Sequence, residues 1–390
     1  MSAAGTFISA DDTIAPRQNP DLVGHDAACA LLAKSFASGR MPHAWLIAGP
    51  RGIGKATLAY RFARYVLAAG SKASAPAETA PSLFGDAAPA PQIAPAAADN
   101  LALSPSHPIF RRVASAGHPD LLTVECTPHP KTGKMRDEIG VDDARGIAPF
   151  LRLTAWESGW RVVVVDAIDE MNRDAANAVL KILEEPPARV LLLLVCHAPG
   201  RLLPTIRSRC QTLHLSPLEP ETMFGLLRTR LPESDETELR GLAELSDGSP
   251  GRALALAEAG GLELYGKLIE LLRNLPQLDD QAVIGFADTF ARATAADEYE
   301  TLKNLLSWWL ARLVRRMAGQ QGPKEGAHWA TLAPGEAELA VRLSGRGGLD
   351  RWAELWDKSA RLFARADAVN LDRKQALLEA FFAIQRTARA

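Results

Sequence analysis

Short apolar runs alternate with segments of helical periodicity over the first 215 residues of the chain. The runs are nearly continuous in apolar side chains, which is typical of strands buried on both faces of a parallel sheet. The segments between them place apolar residues three and four positions apart, which predicts helices on both faces. The predicted strands lie at 43–49, 120–125, 161–165, 189–196 and 210–215.

Glycine and proline mark the ends of the predicted helices. Three helices are expected at 27–40, 55–70 and 174–185, and each ends at or beside a glycine or a proline pair. A fourth helix is expected within "VDDARGIAPFLRLT". Its acidic residues lie near the start, where the positive end of the helix dipole stabilises them. The alternation of strands and helices predicts an α/β fold with a parallel sheet covered on both faces.

Strand patterns disappear after Pro220, and the rest of the chain is predicted to be helical. Short helices are expected over 221–258, and longer amphipathic helices follow. We therefore expect three domains: an α/β domain at 1–215, a small helical domain at 216–260 and an all-α domain at 261–390.

One stretch of the first domain, 71–107, has a different composition. Twelve of its 37 residues are alanine and six are proline. Such a stretch does not sustain regular elements, so we expect an insertion that is disordered or loosely packed. A surface insertion without a further role and a tether that binds a partner are both compatible with this composition.

A glycine-rich motif, "GPRGIGKAT", connects the first predicted strand to the helix that follows it. Gly49, Gly52, Gly54 and Lys55 match the pattern G-x-x-x-x-G-K. Glycines in this setting let backbone N–H groups converge on phosphate oxygens, and the helix N-terminus adds its positive end. The motif therefore predicts a nucleotide site with ATP or ADP as its ligand, and Lys55 is expected to reach the outer phosphates. A loop kept only for packing is the alternative.

The position after the lysine departs from the phosphate-loop motif. A Ser or Thr normally ligates Mg²⁺ there, whereas this chain has Ala56. The hydroxyl of Thr57 comes one residue later, about 100° further round the helix. We therefore expect Mg²⁺ binding to be weakened or absent.

The run "RVVVVDAIDEMN" ends a predicted strand in an acid. Asp166 lies where a phosphate-loop protein holds Mg²⁺, but Ala167 follows it and cannot polarise an attacking water. Asp169 and Glu170 lie three and four residues beyond the strand end. We expect these two carboxylates to be solvated or to cap the next helix.

Taken together, several motifs resemble the clamp-loader subunits of bacterial replication, which belong to the AAA+ ATPases. The resemblance extends over roughly residues 20–260 and implies an AAA+ P-loop fold followed by a helical lid and a helical collar. The motifs that carry it are "LVGHDAA", "GPRGIGKAT", "AANAVLKILEEPP", "LLPTIRSRC" and "DGSPGRAL".

Subunits of this family are of two kinds, the ATP-hydrolysing gamma/tau motors and the non-hydrolysing delta prime stator. The register of "LKILEEPP" places Asp166 at the family's Walker B aspartate and Ala167 at its catalytic glutamate. The resemblance therefore implies a stator without an ATPase activity of its own. A gamma/tau-like motor is the alternative. The same register puts Gly251, followed by Arg252, where motors carry a sensor arginine.

The triplet "SRC" places Arg209 at the family's arginine finger, which enters the ATP site of a neighbouring subunit. An arginine there stabilises charge on the transferred phosphoryl group, because its guanidinium is always charged and forks onto phosphate oxygens. An ordinary salt bridge on a surface loop is the alternative. Arg207 is the nearby control and is expected to matter less.

Cysteine usage and charge limit the remaining classes of function. The four cysteines are scattered and form no C-x-x-C pair, and 71–107 contains none of the zinc ligands found in many relatives, so no zinc is expected. A net charge of -2 opposes a free-standing DNA-binding module, the third hypothesis.

Neither a signal-peptide pattern nor an apolar run long enough to span a bilayer is visible, so a cytoplasmic protein without membrane contact is expected. The partners that the resemblance implies are gamma/tau, delta, the sliding clamp and primed DNA.

Overall fold

The computed structural model describes residues 14–70, 100–128, 136, 138–157, 159–319, 331–369 and 371–389. By its contacts the chain divides into two compact units. The sheet unit comprises Ala10–Thr222 together with Gly248–Gly251. The helical unit comprises Met223–Asp247 and Arg252–Ala390. The division into three domains stays a prediction, and most of the predicted insertion, 71–99, lies outside the described residues.

Five parallel strands form the sheet, in the order β2-β3-β4-β1-β5. Each falls within one residue of a predicted run or inside it, and the predicted fold class is confirmed. The crossover order brings the first strand to a position between the last two. The strands are β1 (Ala44–Ala48), β2 (Leu121–Glu125), β3 (Arg161–Asp166), β4 (Val190–Cys196) and β5 (Gln211–His214).

The valine run of β3 shows why these strands are apolar throughout. Val162 and Val164 pack into the core beneath the helix that follows the phosphate loop. Val163 and Val165 point to the other face and pack with the helix that follows β3. Successive side chains of a strand point to opposite faces, so a sheet covered on both sides needs an apolar residue at every position.

Seven α-helices of the described chain precede the last strand. The predicted helix within 141–154 is divided in two at Gly146, and a short helix at Pro108–Ala114 was not predicted. That helix starts with a proline and is capped by the side chain of His107, which accepts from the N–H of Ile109. The seven are α1 (Asp26–Ala37), α2 (Lys55–Gly70), α3 (Pro108–Ala114), α4 (Val141–Arg145), α5 (Ile147–Arg152), α6 (Arg173–Glu184) and α7 (Pro204–Arg207).

Only helices follow β5 in the described part of the chain, as predicted. They are α8 (Pro220–Arg230), α9 (Glu236–Leu245), α10 (Pro250–Glu258), α11 (Gly261–Leu272), α12 (Asp280–Thr289), α13 (Ala296–Met317), α14 (Glu336–Ser344), α15 (Gly348–Ala368) and α16 (Arg373–Arg389). No described helix has the length and apolar character that crossing a membrane requires.

A buried ionic network joins four helices of the helical unit. Glu336 of α14 is fully buried and accepts a hydrogen bond of 2.7 Å from the hydroxyl of Tyr265. Arg312 of α13 reaches the same carboxylate at 3.3 Å and Glu244 of α9 at 3.1 Å. Charges removed from water are tolerated when they are paired and hydrogen-bonded. The network therefore ties α9 to the helices that follow it.

Candidate functional site

The phosphate loop leaves β1 at Gly49 and ends where α2 begins at Lys55. Gly49, Gly52 and Gly54 have φ values of 154°, 76° and 100°, a region that side chains rarely adopt. A Cβ at Gly49 would also lie 2.6 Å from the carbonyl oxygen of Leu215. The three glycines are therefore required by the backbone path, as the motif predicted.

Three consecutive carbonyl groups of the loop are held from outside. Nε2 of His25 donates to the carbonyl of Ile53 at 2.7 Å, and the hydroxyl of Ser249 donates to that of Arg51 at 2.8 Å. The N–H of Gly251 donates to the carbonyl of Gly52 at 2.9 Å. In a trans peptide, the N–H that follows a carbonyl points in the opposite direction to it. The loop N–H groups that follow these three carbonyls therefore point away from His25, Ser249 and Gly251. The peptide planes of the loop are thus fixed by contacts with neighbouring segments.

Sequence reasoning missed the roles of His25 and Ser249, although both stand in motifs that it quoted. His25 lies in "LVGHDAA" and Ser249 in "DGSPGRAL", and both side chains are buried. Gly251 also contacts the phosphate loop, and its contact requires a residue without a side chain. A Cβ there would lie 3.0 Å from Cα of Gly52, so a larger residue would displace the phosphate loop.

Lys55 lies at the N-terminus of α2 with its side chain buried. Its Nζ donates to the carbonyl of Pro50 at 2.5 Å. Burial lowers the pKa of this lysine to about 8, opposed by the charges of Asp166 and Asp169. Ala56 offers no oxygen, and Thr57 is buried at 8 % exposure. Lys55 is therefore a buried amino group at the start of α2, and neither of the two residues after it presents an exposed side-chain oxygen.

Asp166 ends β3 beside the phosphate loop, as predicted. Burial, followed by the charges of the nearby acids Glu170 and Glu125, raises the pKa of its carboxyl to about 6. Ala167 is fully buried and belongs to the apolar core. At the position where the sequence resemblance places a catalytic glutamate, the chain thus has a methyl group packed among hydrophobic side chains.

The expectation for Asp169 and Glu170 was wrong. The carboxylate of Asp169 accepts the N–H groups of His197 and Ala198, each at 2.9 Å, where β4 ends. Although burial opposes it, these hydrogen bonds hold the pKa of Asp169 below its ordinary value. Asp169 therefore fixes the β4 end, and the cap of α6 is Asn172 instead.

Glu170 faces the mouth of the phosphate loop. It forms an ion pair with Arg51, and Sγ of Cys126 lies 3.7 Å from its second oxygen. Nε2 of His197 is 4.0 Å away. Burial, followed by the charges of Lys55 and Arg51, lowers the pKa of His197 to about 4, so the imidazole is neutral at pH 7. No group of three or more His, Cys, Asp or Glu suited to a metal occurs among the described residues; the absence of zinc stays a prediction.

Arg209 lies at the edge of the sheet where the strands begin, whereas the phosphate loop lies at the edge where the strands end. It precedes β5, which runs parallel to β1 with Trp45 paired to Gln211. The phosphate loop follows the other end of β1, five residues or about 16 Å further along. Arg209 is therefore presented away from the phosphate loop of its own chain.

The side chain of Arg209 is partly exposed. Its Nη2 lies 3.0 Å from Oε1 of Glu184, and its Nη1 donates to the carbonyl of Thr205 at 3.1 Å. Arg207 is exposed at the end of α7. Exposed ion pairs of this kind contribute about 0–1 kcal/mol. The guanidinium of Arg209 is thus easily released to another acceptor.

Comparison with known proteins assigns the family. The protein-family model described as "DNA polymerase III, delta subunit" matches residues 102–219 of this chain. DNA polymerase III subunit delta' of Pseudomonas aeruginosa is 33% identical over 234 residues, which are 60% of this chain and 61% of that protein. The delta' subunit of Escherichia coli is 31% identical over 316 residues, 80% of each chain. The chain belongs to the DNA polymerase III delta prime family.

Other relatives of this delta prime chain are more distant. The gamma/tau subunit of Mycobacterium tuberculosis is 26% identical over 363 residues, 87% of this chain and 57% of that one. A solved gamma subunit-related protein of Thermotoga maritima is 17% identical with a TM-score of 0.38 and covers 93% of this chain and all of its own. The delta prime chain therefore covers only part of several relatives, including 61% of the Pseudomonas protein.

Proposed function

We propose that this chain is the stator of a clamp loader. It joins a ring with gamma/tau and delta subunits, and the ring opens the sliding clamp and places it on primed DNA. Membership of the delta prime family supports this function, and so does the site itself. The observation that carries the proposal is Ala167, because a buried methyl group stands where hydrolysis needs a carboxylate. The chain is therefore a partner of ATPases without independent turnover.

Arg209 is the proposed catalytic contribution of this subunit. Its place at the sheet edge remote from its own phosphate loop supports an action in trans, on the ATP site of the adjacent gamma/tau subunit. There the guanidinium would stabilise charge on the transferred phosphoryl group. Such fingers accelerate phosphoryl transfer by about 10³–10⁵.

A reconstituted ring tests the finger. We expect Arg209→Ala to assemble normally and to lower ATP turnover at the site that it completes by about 10³ or more. Arg207→Ala is the matched control, since it removes an equal charge two residues away, and should retain turnover. Unchanged clamp-stimulated hydrolysis in Arg209→Ala would falsify the assignment.

We also propose that the phosphate loop binds ATP or ADP with little dependence on Mg²⁺. The loop and Lys55 fit phosphate oxygens, whereas the side chain of Ala56 has no oxygen that could bind a metal. Nucleotide titration with and without Mg²⁺ tests this, and Lys55→Ala should abolish binding. Steady hydrolysis by the isolated chain, lost in Lys55→Ala, would instead establish the gamma/tau-like motor.

A further inference from the structure

Two large apolar side chains stand in solvent on the segment that connects α5 to β3. Trp156 is 77% exposed, the largest fraction of any large hydrophobic side chain in the described residues, and Leu153 is 62% exposed. Scattered surface hydrophobics are common. An aromatic and an aliphatic side chain three residues apart on one short segment, however, provide the kind of anchor that dominates binding energy at interfaces.

Buried charges hold the backbone of this segment in place. The carboxylate of Asp120, which is fully buried, accepts the N–H groups of Trp156 at 2.7 Å and Glu157 at 2.9 Å. Nε of Arg161 donates to the carbonyl of Leu153 at 2.9 Å. Its guanidinium carbon also stacks 4.7 Å from the ring centre of Phe150. The exposed side chains are therefore displayed from a fixed backbone, which lowers the ordering cost of binding.

The segment lies at the same edge of the sheet as Arg209. Trp156 precedes β3, Arg189 immediately precedes β4, and Arg209 precedes β5. In the order β3-β4-β1-β5 three strand spacings, about 14 Å, separate the first position from the last. We name the surface of Leu153, Trp156, Arg189 and Arg209 the edge strip. A protein that receives Arg209 is wide enough to cover all of it.

The charge of the edge strip defines the surface that complements it. Arg152, next to Leu153, and Arg189 are exposed, and neither has a carboxylate within ion-pairing distance among the described residues. A Cβ at Gly159 would lie 3.1 Å from Nη1 of Arg189, which places that guanidinium over the segment before β3. The carboxylates of Glu157 and Glu184 are already paired, with Arg112 and Arg209. The arginines that flank the anchor therefore fit an apolar pocket with an acidic rim.

We propose that Leu153 and Trp156 anchor this chain to the same gamma/tau subunit whose ATP site receives Arg209, in an apolar pocket with an acidic rim. The proposal rests on the proposed function and adds the surface by which the neighbour is held. The anchor supplies affinity, and Arg209 supplies chemistry. DNA fits the strip less well, because Leu153 offers no stacking face and the flanking charge is limited to a few arginines.

The binding of purified gamma/tau subunit to the full-length chain tests the anchor. We expect Leu153→Ser combined with Trp156→Ala to weaken the affinity at least about tenfold, since interface anchors of this type carry most of the binding energy. Arg152→Glu combined with Arg189→Glu should weaken it as well, by an amount that salt reduces. Leu31→Ser, at a residue 46% exposed on α1, is the matched control and should bind normally. The thermal midpoint of each variant should match the wild type, because the altered side chains are exposed.

Each outcome separates the two proposals. The anchor alone is overturned if Leu153→Ser combined with Trp156→Ala leaves the gamma/tau affinity unchanged. In that case the wild-type chain binds gamma/tau and the Arg209→Ala variant still loses turnover. Normal gamma/tau binding with loss of sliding-clamp or primed-DNA binding also overturns it. A wild-type chain that binds no gamma/tau subunit overturns the proposed function itself.

Discussion

Nη2 of Arg209 lies 3.0 Å from Oε1 of Glu184, so the last residue of α6 holds the proposed finger in the isolated chain. Both side chains are well exposed, with 36% and 49% of their surface accessible. In the proposed ring, Glu184 would compete with the neighbour's phosphate for the same guanidinium. The ion pair is the position of Arg209 in the chain by itself.

Removing that competitor should leave the fold unchanged. For Glu184→Gln we expect a change in the free energy of unfolding below about 1 kcal/mol, because exposed pairs contribute little. ATP turnover of the reconstituted ring should be equal to or higher than that of the wild type. Chemical denaturation and a turnover assay measure the two quantities. A drop in turnover comparable to that of Arg209→Ala would show that Glu184 positions the finger.

Asp166 should make stability depend on pH between about 4 and 6. Its folded pKa of about 6 exceeds the ordinary value of 3.8. The folded chain therefore binds the proton more tightly, and stability falls as pH rises through this interval. Asp166→Asn removes this penalty and should be more stable than the wild type at pH 7.5 by up to about 2 kcal/mol, with little difference at pH 4. Equal gains at both pH values would exclude a titration effect.

Ser249→Ala should loosen the phosphate loop. The variant leaves the carbonyl of Arg51 without its 2.8 Å donor, and a hydrogen bond of this kind contributes about 1 kcal/mol. We expect that loss of stability together with weaker nucleotide binding. Ser38→Ala is the control, because its hydroxyl donates to the carbonyl of Ser35 and accepts the N–H of Arg40 just after α1. Nucleotide affinity equal to the wild type would mean that the tether does not shape the loop.

Arg312→Met should strongly destabilise the helical unit. The substitution leaves Glu336 buried without its cation, a defect that typically costs about 3–5 kcal/mol. Tyr265→Phe removes one hydrogen bond from the same carboxylate and should cost about 1 kcal/mol. Arg315→Met, at an exposed position of the same helix, should have little effect. Denaturation midpoints compare the three variants, and similar values for all of them would refute a stabilising network.

Local patterns in the sequence predicted the sheet strands and the long helices around them, because burial on both faces demands continuous apolar runs. They also identified the phosphate loop, because its backbone conformation requires glycine at positions that other residues rarely occupy. The helix α3 escaped prediction because seven residues are too few to establish a helical period. The roles of Asp169 and His25 also escaped it, since their hydrogen-bond partners lie 28 residues away in the chain.

The sequence by itself determined which groups this chain has at its proposed nucleotide site: the phosphate loop, Lys55, Asp166 and the alanine that follows it. These groups can be recognised from the residue type and from its position just after a predicted strand. Only the tertiary structure decided how far apart Arg209 and Trp156 lie along the end of the sheet where the strands begin. The reason is the strand order, in which crossovers bring distant segments together by packing, and no local periodicity records which strands become neighbours.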